Sequence, residues 1–262
     1  MGLFYQLGYG VEIMIKIIGL EKTFDGIEVL RGLNLTISEK EVIAVIGRSG
    51  EGKSVLLKHL LGLIKPDRGS ILIEGEDITR AGSREMDKIR EKFGVVFQGG
   101  ALFDSLTVYG NVAFPVREKT KLAKEEVRER VIRALEIVGL RGMGNKYPAE
   151  ISGGMKKRVA LARALITEPS IVLFDEPTTG LDPIILNSIH RLIKRTHKEY
   201  GFTGLIISHE IPEIFDVADR VAMLHNGVIV EIGTSEEIRN SSNPAVRQFI
   251  TGSMEGPIEV LS

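Results

Sequence analysis

Eight consecutive residues carry the first chemical signal. Gly47, Arg48, Ser49, Gly50, Glu51, Gly52, Lys53 and Ser54 spell G-x-x-x-x-G-K-[ST], the spacing of a phosphate-binding loop. Glycines without a Cβ let the backbone wrap closely around phosphate oxygens. Inward-turned N–H groups and the N-terminus of a following helix supply positive potential. Lys53 would reach the β- and γ-phosphates, and the Ser54 hydroxyl would ligate Mg²⁺. Three further polar positions stand where apolar runs end: Gln98 after Gly94-Val95-Val96-Phe97, Asp175-Glu176 after Ile171-Val172-Leu173-Phe174, and His209 after Thr203 to Ser208. In a parallel sheet such positions share one edge, at the strand C-termini where ligands sit.

The surrounding pattern supplies that sheet. Val42 to Ile46 is a short uncharged run, expected as a buried strand, and Ser54 to Gly62 is expected as the helix after it. Val29 to Ile37 alternates apolar and polar residues, as a half-buried strand does. Lys65-Pro66-Asp67-Arg68-Gly69 marks a turn; Ser70 to Glu74 and Gly75 to Ile78 suggest a hairpin. Arg84 to Lys92 reads as a charged helix. Lys119 to Gly139 reads as one amphipathic helix, with Leu122, Val127, Val131, Leu135 and Val138 near one face. Ser152 is placed to cap a helix running to Leu165. Ile184 to Glu199 reads as a helix, and Arg220 to Leu224 and Val228 to Glu231 as a hairpin about Asn226-Gly227. A short helix and a tail are expected from Ser235 onwards. Strands separated by helices indicate an α/β fold with a parallel sheet. Gly99 to Val116 is apolar without clean periodicity, and is either the core of a small helical subdomain or a surface that receives another protein.

Bulk properties narrow the class. The 262 residues suit one large α/β domain carrying a subdomain. The net charge of −1 gives no basic footprint for nucleic acid. Absence of cysteine excludes disulfides, thiolate metal sites and cysteine nucleophiles. No apolar run approaches the roughly 20 residues of a membrane helix, and Met1 to Gly10 lacks the basic region and apolar core of a signal peptide. The expectation is a cytoplasmic protein whose membrane role, if any, runs through a partner.

With these residues in place the chain resembles the nucleotide-binding subunits of ABC transporters, from about Ile15 to about Ser235. The deciding stretch is Ile151-Ser152-Gly153-Gly154-Met155, which looks like the signature of that family, followed by Asp175-Glu176. The resemblance implies an ABC-type P-loop NTPase fold: a RecA-like core, an antiparallel β-subdomain and an inserted α-helical subdomain at about 99–165. The whole domain would span 14–250, with an extension over 1–13 and a tail over 251–262. It also implies roles. ATP and Mg²⁺ would be bound, with Ser54, Gln98 and Asp175 at the metal. Glu176 would be the general base, Gln98 would touch the attacking water, and His209 would contact the γ-phosphate. Phe24 would stack on adenine, and Asp182 would cross a dimer interface. Ser152, Gly153 and Gly154 would complete the ATP site of a second copy, so two chains would close head-to-tail around two ATP molecules.

Met155 stands where the broad family has glutamine. Ser152 to Arg158 and Phe97 to Val108 resemble the MlaF-like branch, the ATPases of Mla/Mce phospholipid-trafficking systems. That branch implies an integral-membrane permease, an MCE-type lipid-binding protein and a STAS-domain protein as partners, with this chain peripheral on the cytoplasmic face of the inner membrane. The apolar residues around Val246 to Ile250 suggest docking of the tail on a protein, the dimer mate being one choice. The alternatives are an ATPase of another importer, such as one for amino acids, or a soluble ABC ATPase outside transport.

Overall fold

The structure, a computed structural model, describes residues 12–259. Of the extension expected over residues 1–13, positions 1–11 lie outside the described residues, as do positions 260–262 of the tail. Ile13 already opens the first strand, paired with Ser38.

Two sheets form the body. In the first, β1 (Ile13–Phe24) pairs antiparallel with β2 (Ile27–Ser38) and with β4 (Arg68–Ile73), and β5 (Glu76–Asp77) completes the edge. The second runs β10-β9-β3-β8-β7-β6. Its members are β3 (Val42–Ile46), β6 (Phe93–Val96), β7 (Ile171–Asp175), β8 (Thr203–Ser208), β9 (Arg220–His225) and β10 (Val228–Thr234). All neighbours pair parallel except the edge hairpin β9–β10. Every residue of β3 and β8 is buried, Thr203 and Ser208 at the ends of β8 included, as in a parallel sheet covered on both faces.

Alternation along each strand splits the core in two. Ile43, Val45, Leu205 and Ile207 face α1 (Lys53–Leu60), α2 (Ser83–Glu91) and the antiparallel sheet, meeting Leu56, Leu60, Ile89, Ile15 and Leu33. Val42, Ala44, Ile46, Phe174 and Ile206 face the other way, into the core shared with α3 (Val108–Lys119), α4 (Lys124–Ile137), α5 (Gly153–Leu165) and α6 (Pro183–Tyr200).

Three sequence expectations are corrected. The single helix expected over Lys119 to Gly139 is two elements, because Thr120 ends α3: its N–H and its hydroxyl both donate to Val116 O, at 2.9 and 2.7 Å. Leu122 therefore lies in a connection, while Val127, Val131 and Leu135 do form the buried stripe of α4. Beyond Ser235 there are two helices, α7 (Ser235–Arg239) and α8 (Pro244–Thr251). The apolar residues expected to dock on a protein pack on their own chain: Val246 and Ile258 are buried in the main core, and the Gln248 amide clamps the Ile258 backbone with bonds of 3.0 and 2.7 Å.

The stretch Gly99 to Val116 is core in part and exposed in part. Val108, Val112, Ala113 and Val116 are core, whereas Phe103 and Phe114 stay exposed with ring centroids 4.8 Å apart. Its irregular half is held by Asn111, fully buried on α3. The Asn111 Oδ1 accepts from Phe103 N–H at 2.8 Å, and its Nδ2 donates to the carbonyls of Phe103, Leu106 and Thr107 at 3.0 Å each. One buried side chain thus ties residues 103–107 to α3 through four backbone groups.

Candidate active site

The phosphate-binding loop joins β3 to α1 and its shape demands glycine. Gly47 has φ +153°, and a Cβ there would lie 2.3 Å from the Leu224 carbonyl oxygen of β9. Any side chain at this position would push β9 off β3. Lys53 is buried, and its ammonium donates to the carbonyls of Gly47 and Arg48, each at 2.7 Å. Three donors are available on an ammonium, so one remains for a ligand. Burial lowers the Lys53 pKa, while the carboxylates of Glu176, Glu51 and Asp175 act in the opposite sense. The Ser54 hydroxyl donates to Asp175 Oδ1 at 3.4 Å. Burial raises the Asp175 pKa, helped by the neighbouring Glu176 charge and opposed by Ser54 and Lys53.

Glu176 is the hub. It follows β7 directly and sits in the left-handed region at φ +46°, which costs a residue with a Cβ about 1–2 kcal/mol. Its N–H donates to Ile207 O of β8 at 3.0 Å. Its carboxylate touches three side chains. Gln98 Nε2 donates to Oε2 at 3.1 Å, Thr179 Oγ1 donates to the same oxygen at 3.1 Å, and His209 Nδ1 lies 3.1 Å from Oε1. Gln98, Glu176 and His209 come from the ends of β6, β7 and β8, three adjacent strands. The parallel sheet therefore delivers the convergence that the strand ends predict.

Not every expected residue joins this cluster. Ser152 caps α5, its hydroxyl accepting from Met155 N–H at 3.3 Å. Gly153 and Gly154 lie against Leu181 and Ile185, and a Cβ on Gly154 would come within 2.6 Å of Ile185 Cγ2. The signature segment is thus packed beside Asp182, which caps α6 through bonds to Ile184 and Ile185 N–H at 3.0 and 3.1 Å. Ser152, Gly153 and Asp182 are exposed. Phe24 is exposed at the end of β1, with Lys22 Nζ 5.4 Å from its ring centre. Two side chains of the loop are engaged elsewhere. Glu51 is tied to the β9–β10 turn, with His225 Nδ1 at 3.0 Å and Asn226 N–H at 2.6 Å, so only its backbone faces a phosphate. Arg48 donates to Glu259 O at 2.7 Å.

Sequence reasoning missed the residues behind the hub. Lys157 of α5 is buried and donates to Gln98 O and Glu176 O. Thr178 donates to the Glu210 carboxylate and lies 3.4 Å from His190 Nε2. A charge inside an otherwise apolar helical stripe, Lys157 among Val159 to Leu161 and Ala164, was the available signal. His190 is buried with Nδ1 unpartnered, and burial pushes its pKa down to about 4, against the opposing effect of Glu213 and Asp216. A lowered pKa means the native state prefers neutral imidazole. The contribution is complete above the unfolded value of about 6.5 and is lost as pH falls towards 4, roughly 3 kcal/mol over that span. His190→Leu should therefore flatten the fall in stability between pH 6.5 and 4, as measured by urea unfolding across that range.

The donors near Ser54 are hard oxygens: a hydroxyl, the Asp175 carboxylate and the Gln98 amide. Among the described residues no group of three or more His, Cys, Asp or Glu could hold a metal. A Mg²⁺ ion bound with a nucleotide needs only one or two carboxylates, the phosphates and water supplying the rest, so this donor set fits it.

Comparison with known proteins agrees with the geometry. The ABC transporter family matches residues 30–179. The probable ribonucleotide transport ATP-binding protein mkl of Mycobacterium tuberculosis is 44% identical over 251 residues, covering 96% of this chain and 70% of that protein. The intermembrane phospholipid transport system ATP-binding protein MlaF of Haemophilus influenzae is 41% identical over 226 residues, 86% of each chain. Among solved structures, the dimeric post-hydrolysis ATP-binding cassette MJ0796 bound to ADP and Pi superposes with a TM-score of 0.78 at 33% identity, over 85% of this chain and 99% of that one. A family match across both the loop at Gly47 and the hub at Glu176, on a fold shared with an ATP-binding cassette, leaves one assignment: the chain belongs to the ABC transporter family and is an ABC ATPase.

Proposed function

We propose that this chain is the ATP-hydrolysing subunit of a transporter that moves phospholipids between membranes. The observation that carries the hydrolytic part is the Glu176 carboxylate, fixed at the ends of three parallel strands beside the phosphate loop. The lipid part rests on the relatedness to MlaF.

Phosphoryl transfer asks a protein for positioning and charge neutralisation. The backbone of residues 47–52 cradles the phosphates, and Lys53 turns its remaining donor to the β- and γ-phosphates. Ser54 and Asp175, with Gln98, would hold Mg²⁺, which would neutralise phosphate charge. A water that donates to Glu176, taking the place of the direct Gln98–Glu176 bond, attacks the γ-phosphorus. Glu176 takes the proton as the bond to the β-phosphate oxygen breaks, and ADP and phosphate leave. His209 stands over the γ-phosphate, and Phe24 offers its exposed ring to adenine. Ser152 and Gly153 are exposed at the start of α5; with Gly154 they serve the ATP of a second copy, and Asp182 crosses between the two. The domain spans 14–250 with its helical part at about 99–165. It works peripherally on the cytoplasmic face of the inner membrane, under a permease received near Phe103 and Phe114. The MCE-type and STAS-domain partners join through the assembled complex.

The relatedness to mkl favours a second reading, in which the cargo is a ribonucleotide. Capture of the tagged chain from detergent-solubilised native membranes, with mass spectrometry of proteins and lipids, decides between them. Phospholipid and an MCE protein alongside the permease are expected. A permease captured without lipid would remove the lipid assignment and leave the ATPase intact.

A further inference from the structure

The helix that begins at Ser152 holds the Gln98 loop by two cations. Arg163 donates to the carbonyls of Ala101 and Gly100, each at 2.7 Å. One face further in, Lys157 donates to Gln98 O and, at 3.5 Å, to Glu176 O. Lys157 is only 7% exposed, so this ammonium exchanges hydration for those two carbonyls. Burial lowers its pKa, and the carboxylates of Glu210, Glu176 and Asp175 around it raise it again.

The two carbonyls belong to the two residues whose side chains meet, Gln98 Nε2 on Glu176 Oε2. They lie on separate segments. Gln98 is in the irregular stretch after β6, where an exposed loop has no ladder to hold it. Glu176 is in a left-handed conformation that persists only where its surroundings hold it. An ammonium bonded to both carbonyls fixes the distance between the two backbones, and so the pairing of the two side chains. Because Lys157 lies one helical turn beyond Gly153, it also fastens that pairing to the segment offered to the second copy.

We infer that Lys157 is a positioning residue for ATP hydrolysis, joining the backbones of Gln98 and Glu176 to the helix that carries Ser152 and Gly153. Its donors go to the two backbone carbonyls, so it acts through the other two residues. The inference rests on the hydrolytic reading above.

The test uses the full-length chain with Lys157→Met, which keeps the length and apolar stem of the side chain but has no donor. Turnover should fall by about tenfold or more, because small displacements at a reacting centre are costly, while KM for ATP stays within about twofold. Lys157→Arg restores charge and donors and should recover most of the loss. In a Gln98→Ala background the Lys157→Met change should cost clearly less, since residues acting through one another are not additive. Wild-type turnover in Lys157→Met overturns the inference. So does a loss that Lys157→Arg fails to recover, or one that is fully additive with Gln98→Ala. If the wild-type chain itself releases no phosphate from ATP, the hydrolytic reading is what has failed.

Discussion

Glu176→Gln is expected to lower turnover by roughly 10²- to 10⁴-fold, the range associated with loss of a general base, and to leave ATP binding nearly unchanged. Glutamine is isosteric with glutamate, so the backbone bond to Ile207 and the general placement of the side chain survive. What is lost is the ability to take a proton. In the native chain both carboxylate oxygens are oriented, one by Gln98 and Thr179 and the other against His209. The group is therefore held in a fixed direction before any substrate arrives, as a positioned base must be. Phosphate release measured in the steady state, together with equilibrium binding of a fluorescent ATP analogue, separates the two effects. Turnover at the wild-type rate would take Glu176 out of the base role. Weakened binding in step with turnover would make it a structural residue instead.

The second large effect lies at Lys53. Lys53→Met should weaken ATP binding by about 2–4 kcal/mol, roughly 30- to 1,000-fold, as removal of one partner from a buried charge pair does. The native ammonium spends two donors on the loop's own carbonyls, so its loss also leaves Gly47 O and Arg48 O without that partner. That second cost falls on the fold and is about 1–3 kcal/mol per buried group left unsatisfied. The two are separable. Isothermal titration with ATP reads the first, and urea unfolding without nucleotide reads the second. Binding that survives Lys53→Met would mean that backbone N–H groups alone hold the phosphates.

Much of this site was legible because its parts obey local rules. Val42 to Ile46 and Thr203 to Ser208 were readable to the residue, since a strand buried on both faces carries no charge, and the polar residues of the second, Thr203 and Ser208, stand at its ends. Polar groups immediately after such runs could be placed on one edge without knowing the strand order. Ser152 was readable as a cap by residue type. The rest depended on contacts distant in sequence. Nothing near Glu51 announces that its carboxylate belongs to His225 and Asn226, more than 170 residues away. Lys157 sits within the charged run Lys156-Lys157-Arg158, and the packing of α5 against the strand ends turns it inward. The break at Thr120 left one trace, Leu122, which stands five residues before Val127 and so off its helical face, while a hydroxyl bonded to Val116 O marks the end of α3 locally.

By the proposed mechanism one chain holds only part of each ATP site, the rest coming from Ser152 and Gly153 of a second copy. Light scattering of the Glu176→Gln chain with ATP and Mg²⁺, with the bound nucleotide counted, tests it directly. A dimer containing two ATP molecules is expected, reverting to monomer when ATP is withdrawn. A chain that binds ATP yet stays monomeric at every ATP concentration would show that each copy holds a complete site of its own.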